Sequence, residues 1–430
     1  MNPIKTDSWK TLPGPEDISR TILTNGIVLL TRPNFNSTSV VVTGYMASGS
    51  WFDPRDKLGL AHFTAQALMR GTNRYDHQEI YNLLESAGAS LNFGASVRNV
   101  SFGGRALAED LPMLLDTLAE TMLHPTFPDE QVEKLRARMM TGLAIRAQDT
   151  GDMAEITFDR ILFGDHPYGL PEDGFPETVQ NISRADLEEF HRVHYGPRGM
   201  TLVVTGAVSP LVALDQVERA LGNWTNPLQP NYDAGPAFPA RDEMVRRHIS
   251  IPGKSQADLV MGTFGPNRHS PDYMPASLGN NILGQFGMMG RIGDVVREQA
   301  GLAYHASTSL NAWNDAGSWE VSAGVNPQNL QKAIDLIIKE LERYVAEPVT
   351  TEELTDSQSN YIGRLPLSFE SNSGVASALL NIERFDLGLD YYHRYPQMVR
   401  DVTVQTVLEA SRRYLHPGEL AIISSGPEMV

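Results

Sequence analysis

The chain has 430 residues, no cysteine and a net charge of −17, from 35 Lys and Arg against 52 Asp and Glu. Without thiols there is no disulfide, no Cys-ligated zinc, no iron–sulfur cluster and no thiol nucleophile. The acidic balance argues against a nucleic-acid surface and against an anionic membrane, both of which call for clustered Lys and Arg.

Residues 1–17 show no apolar h-region, and no run of about 18 apolar residues occurs anywhere in the chain. The expectation is a soluble, cytoplasmic protein. Residues 21–31 read as two short strands around the turn Asn25-Gly26, and 39–47 continue a sheet. Apolar residues then recur at three and four over 58–70 and 77–87, which predicts two helices. A strand pair follows over 90–107, where Val100 and Phe102 alternate with Asn99 and Ser101. Helices are expected over 111–123, from 129 to about 148, and over 185–195, with a buried strand over 200–206. Residues 224–242 hold four prolines and little periodicity, so they read as a linker.

The second half repeats the first. A helix end, an Ala-Gly step and a strand recur around Gly88 and Gly301, an offset of 301 − 88 = 213 residues. Length alone would suit two or three unrelated domains. The repeat favours two copies of one α+β unit instead. The expected division is 1–223, a linker at 224–242, and 243–430, each copy a largely antiparallel sheet covered by helices.

Several stretches together carry a family resemblance. They are the segment from Gly59 to Thr72 with His62, the Asp165-His-Pro-Tyr-Gly169 run, Phe190-His-Arg-Val-His-Tyr-Gly-Pro197, the segment Leu283 to Arg291, and Val296 to Tyr304. They resemble the M16 (pitrilysin/insulinase-like) metallopeptidases along nearly the whole chain. The resemblance implies the M16/LuxS-like fold of two tandem homologous domains.

The zinc motif of that family is His-x-x-Glu-His. Two His four apart share a helix face and a metal, and the Glu between them deprotonates the metal-bound water. Here the frame reads His62-Phe-Thr-Ala65-Gln66. Ala65 offers no proton acceptor, and Gln66 is a neutral amide that binds zinc poorly. The family's third ligand, a Glu about 76 residues on, falls near Gly142, and no acidic residue lies between Arg136 and Ala147. His62 by itself cannot hold a catalytic zinc, and a hydrogen-bonded helix His is the simpler account of it.

The family's Arg/Tyr pair is present as Arg297 and Tyr304, seven apart with Gly301 between them. A helix should end at the glycine and Tyr304 should start a strand. The guanidinium can then reach peptide carbonyls or a terminal carboxylate, and the phenol can support an oxyanion. Spacing alone allows a blander alternative, a surface pair of Arg297 with Glu298 or Asp294 and a core Tyr304. The family frame favours substrate binding.

Other motifs are weaker. His191 and His194 stand at i, i+3 but have no third ligand nearby, so packing is expected of them. Gly253-Lys254-Ser255 lacks the earlier glycine of a phosphate loop, since His248 stands there. The glycines 284, 287 and 290 suit either a turn beside a substrate groove or a close-packed turn. Met288-Met289 reads as core or interface filling.

The resemblance thus implies a non-catalytic subunit of a heterodimeric M16 zinc peptidase that degrades peptides. It binds no cofactor itself and supplies Arg297 and Tyr304 to a zinc-bearing M16 partner. A homodimer in isolation stays open. The rival is a non-proteolytic scaffold of the same fold, which accounts for the lost zinc groups but not for the persistence of Arg297 and Tyr304.

Overall fold

The computed structural model describes residues 12–233, 235–287 and 290–428. Two sheets follow the repeat expected from the sequence. The first contains β1 (Ser19–Ile22), β2 (Val28–Pro33), β3 (Ser39–Met46), β4 (Ser90–Ala95), β5 (Val100–Leu107) and β6 (Thr201–Gly206), in the order β1-β2-β6-β3-β5-β4. The second contains β7 (Val245–Ser250), β8 (Ala257–Phe264), β9 (Ala303–Ala312), β10 (Gly317–Val325) and β11 (Ala421–Gly426), in the order β7-β11-β8-β10-β9. Each sheet has one parallel pair, β2 with β6 and β7 with β11; the other pairings are antiparallel. The orders superpose strand for strand once β1 is set aside. The chain is therefore α+β with two tandem copies of one unit.

Local chemistry explains the shared features. The hairpin β1–β2 turns at Asn25-Gly26, where Gly26 has φ +92. The Asn25 side chain donates to the carbonyls of Leu221 and Trp224 at 2.8 and 3.1 Å, which ties the turn to the end of the helix Pro210–Leu221. The repeated glycines Gly88 and Gly301 have φ +59 and +62, a left-handed conformation that lets each chain leave a helical turn and enter an edge strand. In β5 the buried Val100 and Phe102 alternate with the exposed Ser101 and Arg105, as a sheet with one covered face requires.

The helices form as the periodicity predicts, with ends shifted by one or two residues. They include Leu60–Ala67, continued by a 3₁₀ turn Leu68–Arg70, then His77–Ser86, Leu111–Leu123, Asp129–Arg146 and Arg184–His194. Asp76 and Ser183 cap their helices through capping boxes, each contribution worth about 1 kcal/mol. No named helix or strand lies between Leu221 and Val245 among the described residues.

The compact units are assembled from non-contiguous stretches. One unit takes the described residues up to Leu143 with Pro171–Gly235 and Pro366–His393. The other takes Ala144–Leu170, Pro236–Leu365 and Arg394 onward. Each half of the sequence thus lends one helix to the sheet of the other half.

In the first unit the lent helix is Asn372–Arg384, packed on β6 and β3. The Thr205 hydroxyl donates to the Asn372 carbonyl at 2.9 Å. Arg20 of β1 grips Glu383 through two nitrogens at 2.9 and 2.7 Å. The core on the sheet holds Ile27, Leu29, Val40, Phe63, Leu118 and Val204, all buried.

In the second unit the lent helix is Thr150–Phe163, packed on β11 and β8. Phe163 closes an aromatic cluster with Phe264 and Trp313, at ring separations of 5.5 and 5.6 Å. On the opposite-facing residues of β10, Trp319 is fully buried and its indole N–H donates to Asn280 at 3.0 Å. The Tyr344 hydroxyl donates to the Gly279 carbonyl at 2.9 Å. No helix among the described residues is long and apolar enough to cross a membrane.

Candidate functional site

In the first unit the short helix Leu60–Ala67 begins at Gly59, with φ +96. The Asp53 carboxylate accepts from the amides of Gly59 and Ala61, each at 2.9 Å, and so caps the helix N-terminus. Burial pushes the Asp53 carboxyl up to about 8 in spite of those amides. Phe63, Thr64, Ala65 and Ala67 point into the core, whereas His62 and Gln66, one turn apart, share the partly exposed face.

That face has the outline of a metal site but not its chemistry. Gln66 donates its amide to the Phe93 carbonyl of edge strand β4 at 3.4 Å. Ala65 is fully buried and offers no polar atom. Gly142 sits on the helix Asp129–Arg146 with open space where a side chain would start. Burial lowers the basicity of His62, with Asp173 acting weakly the other way. No group of three or more His, Asp or Glu among the described residues could hold a metal ion. One imidazole and one amide do not fit zinc, which takes three or four ligands from Cys, His or carboxylates.

The histidines of the i, i+3 pair, His191 and His194, are held by packing. His191 Nε2 lies 2.8 Å from the Met122 carbonyl, with its ring against Phe127 and Tyr195. His194 stacks on Phe52 with a ring separation of 4.6 Å, and burial pulls it down to about 4.

In the second unit Arg297 lies in a π-helical turn, Asp294–Gln299. Such turns hold an extra residue and re-aim the side chains around it. Gly301 ends the turn: its amide donates to the Arg297 carbonyl, and Leu302 donates to the Val296 carbonyl, both at 3.0 Å. The strand β9 starts two residues after Gly301, and Tyr304 is its second residue.

The tyrosine is 69% exposed, so it is not the core residue that spacing alone allowed. Arg297 makes a long ion pair with Glu298 at 3.7 Å and is itself about a third exposed. Asp294 instead accepts from Gln299 at 2.7 Å. Among the described residues β9 is the terminal strand of its sheet, so the pair stands at a sheet edge. The turn with three glycines is close-packed at two of them. A side chain on Gly284 would collide with Thr308, and one on Gly290 with the backbone of Leu283. Met288 and Met289 lie outside the described residues.

Sequence reading missed the support beneath this turn. Arg291 reaches Glu353 through two nitrogens, both at 2.6 Å, and approaches Glu340, which is in turn held by Arg343 at 2.7 Å. The partners are 62 residues apart, so no local pattern signals them. Burial works to raise the Glu353 carboxyl, but the Arg291 guanidinium and the Thr350 amide outweigh it and hold it at about 2. A cavity of about 420 Å³ opens here, bordered by Phe286, Arg291, Asp294, Glu298, Glu352 and Asp356. It is acidic on balance and shares the Asp294–Gln299 turn with Arg297.

The Arg291–Glu353 pair gives a pH prediction. A carboxyl whose folded pKa lies below its unfolded value stabilises the fold above the unfolded pKa. That contribution is complete above about pH 4.5 and is lost as the pH falls toward about 2. Melting temperatures of wild type should therefore drop across that window. Glu353→Gln should start lower near neutrality and show a shallower acid slope. An unchanged slope in the variant would rule this pair out as a source of acid sensitivity.

Comparisons with known proteins bear on the family and the fold. The family profile described as "Insulinase (Peptidase family M16)" matches residues 28–160. The profile described as "Peptidase M16 inactive domain" matches residues 181–361. An uncharacterized zinc protease of Mycobacterium tuberculosis is 27% identical over 410 residues, covering 92% of this chain and 91% of its own length. The β subunit of the mitochondrial-processing peptidase of Saccharomyces cerevisiae is 23% identical over 374 residues, covering 82% and 79%. The crystal structure of a peptidase M16 inactive domain from Pseudomonas fluorescens superposes with a TM-score of 0.88 at 24% identity, over 96% of this chain and 98% of that one.

Proposed function

This chain belongs to the M16 family of peptidases, and from that premise we propose that it is a substrate-binding subunit without a catalytic metal, active in proteolysis only beside a second chain. The observation that carries the reading is a contrast between its two units. In the first, the helix that would hold zinc has lost its donors to Ala65 and Gln66. In the second, the exposed Tyr304 and the partly exposed Arg297 stand at the strand that ends the sheet among the described residues, on a braced turn.

The chemistry of the pair suits a peptide in extended form. A peptide backbone can add to a sheet edge, with recognition through main-chain hydrogen bonds and little dependence on sequence. The planar fork of Arg297 matches a peptide carbonyl or a terminal carboxylate. The Tyr304 hydroxyl can donate to a carbonyl oxygen on which negative charge develops. The metal that activates water would belong to a partner of the same family with an intact His-x-x-Glu-His. The similarity to one subunit of a processing peptidase supports a two-chain assembly. The absence of a membrane-crossing helix among the described residues is compatible with a cytoplasmic setting. The carboxylates around the 420 Å³ cavity favour peptides with basic residues.

Two measurements test this. Purified alone and equilibrated with zinc at neutral pH, the chain should retain much less than one zinc per chain after desalting. Co-expressed with an M16 chain that has the intact motif, it should form a complex that cleaves peptides faster than either chain alone. Chelator-sensitive cleavage by this chain alone would refute the proposal. A complex whose activity ignores Arg297 and Tyr304 would mark it as a scaffold instead.

A further inference from the structure

The two copies of the repeat differ at the position of Tyr304. Subtracting the offset of 213 residues gives Leu91 in the first copy, since 304 − 213 = 91. Each is the second residue of its strand, β9 and β4, and each strand ends its sheet among the described residues. Leu91 is 8% exposed and belongs to the core of its unit, whereas Tyr304 is 69% exposed. Further along, the two strands agree again: Phe93 and Ala306 are buried, Asn92 and His305 exposed.

The register explains the difference. β4 pairs with β5 without a break, from Ser90 opposite Arg105 to Ala95 opposite Val100, so Leu91 stands opposite Gly104. β9 pairs with β10 regularly as far as His305 opposite Gly324, but next it is Ala303 that stands opposite Val325. Tyr304 is left without a partner in β10. It is the extra residue of a β-bulge, a feature that bends a strand and re-aims a side chain. Side chains alternate along a strand. Regular pairing would therefore set Tyr304 opposite Val325, on the face of Ala306 and Thr308, and all three of those residues are buried. With the extra residue, Ala303 takes that place. Glycine suits position 324, because a Cβ there would stand 2.5 Å from the His305 ring and 2.6 Å from the Gln256 amide. Arg297 also sits in an element with an extra residue, the π-helical turn Asp294–Gln299, which packs on β9.

We propose that the one-residue insertion in β9 is the positioning element of the site: it seats Ala303 in the place of a core residue and turns Tyr304 out of the sheet. What Tyr304 then meets rests on the substrate-binding reading above; its outward placement does not. The first unit, with the matching strand and no bulge, keeps Leu91 in its core. A hydroxyl that acts on a reacting carbonyl needs such a fixed seat, because a misplacement of about 1 Å can cost about 100-fold in rate.

Thiol labelling tests it, since the chain has no cysteine and an introduced one is unique. In the purified chain, Tyr304→Cys should react with a maleimide at least about tenfold faster than Leu91→Cys. Deleting Ala303 from the Tyr304→Cys chain should slow its labelling by at least about tenfold, while His305→Cys labels fast with or without Ala303. Unfolding would speed labelling, so a slower rate does not come from a misfolded chain. Equal labelling of residue 304 with and without Ala303 in chains that melt cooperatively would overturn the proposal. So would labelling of Tyr304→Cys as slow as that of Leu91→Cys, a comparison that needs no deletion. In the two-chain assembly, deleting Ala303 with Tyr304 retained should lower kcat by about as much as Tyr304→Phe and change KM less than about threefold. Slower labelling with an unchanged kcat would keep the bulge as the element that exposes residue 304 and would refute the role of the Tyr304 hydroxyl in the reaction.

Discussion

In the proposed two-chain assembly, Tyr304→Phe should lower kcat by about 100-fold and change KM little, while Arg297→Ala should raise KM by about tenfold or more. The two effects differ because the groups act at different stages. In the proposed role the phenol would donate its hydrogen bond as charge develops on the carbonyl oxygen, so its loss would fall on the chemical step. The guanidinium would hold the peptide before reaction, so its loss would fall on binding. Folding should be untouched. Tyr304 is 69% exposed and Arg297 about a third exposed, and substitutions at such positions usually stay within about 0.5 kcal/mol. Single-substrate kinetics of the pair, with melting curves of each variant, read both effects. Activity equal to wild type in the double variant would remove Arg297 and Tyr304 from substrate handling and leave a structural role for the chain.

The second large effect is on stability. Phe163→Ala should destabilise the unit built on β7–β11 by about 3–5 kcal/mol, the usual range for truncating a buried aromatic ring. Phe163 is fully buried and touches the rings of Tyr168, Phe238, Phe264 and Trp313. The residue belongs to the first half of the sequence, yet its partners Phe238, Phe264 and Trp313 belong to the second. A chain cut after residue 223 would leave the second sheet without this helix. Hydrogen exchange should therefore show loss of protection in β8 and β11 in the variant, with β3 and β6 retained. Loss of protection confined to β3 and β6 would contradict the exchange of helices between the halves.

Local signals in the sequence proved reliable where the physics is local. The Asn25-Gly26 hairpin forms as expected, since Gly26 readily takes the positive φ of +92 that the turn holds there. The repeat read from Gly88 and Gly301 corresponds to two sheets of matching strand order. The loss of the zinc donors at Ala65, Gln66 and Gly142 could be read letter by letter, because ligand chemistry is a property of the side chain itself.

What the letters left open is set by distant partners. Spacing allowed Tyr304 to be core or surface; its position as the bulged second residue of a terminal strand exposes it. The glycine at 301 placed Arg297 near the end of a helix, but the extra residue of a π-helical turn follows from packing and not from propensity. The brace of Arg291 by Glu353 and Glu340 joins residues far apart in the chain.

By itself, then, the sequence determined the family, the duplicated α+β unit and the missing metal donors. Each of these rests on residue identity or on patterns within a few turns of chain. The tertiary structure decided that Thr150–Phe163 and Asn372–Arg384 cover the sheets of the opposite halves. An amphipathic pattern states that a helix has a face to bury, and it carries no information about which sheet will bury it. The tertiary structure also decided that the buried Nη1 of Arg241 has no hydrogen-bond partner, because satisfaction of a buried group depends on every neighbour that the fold brings to it.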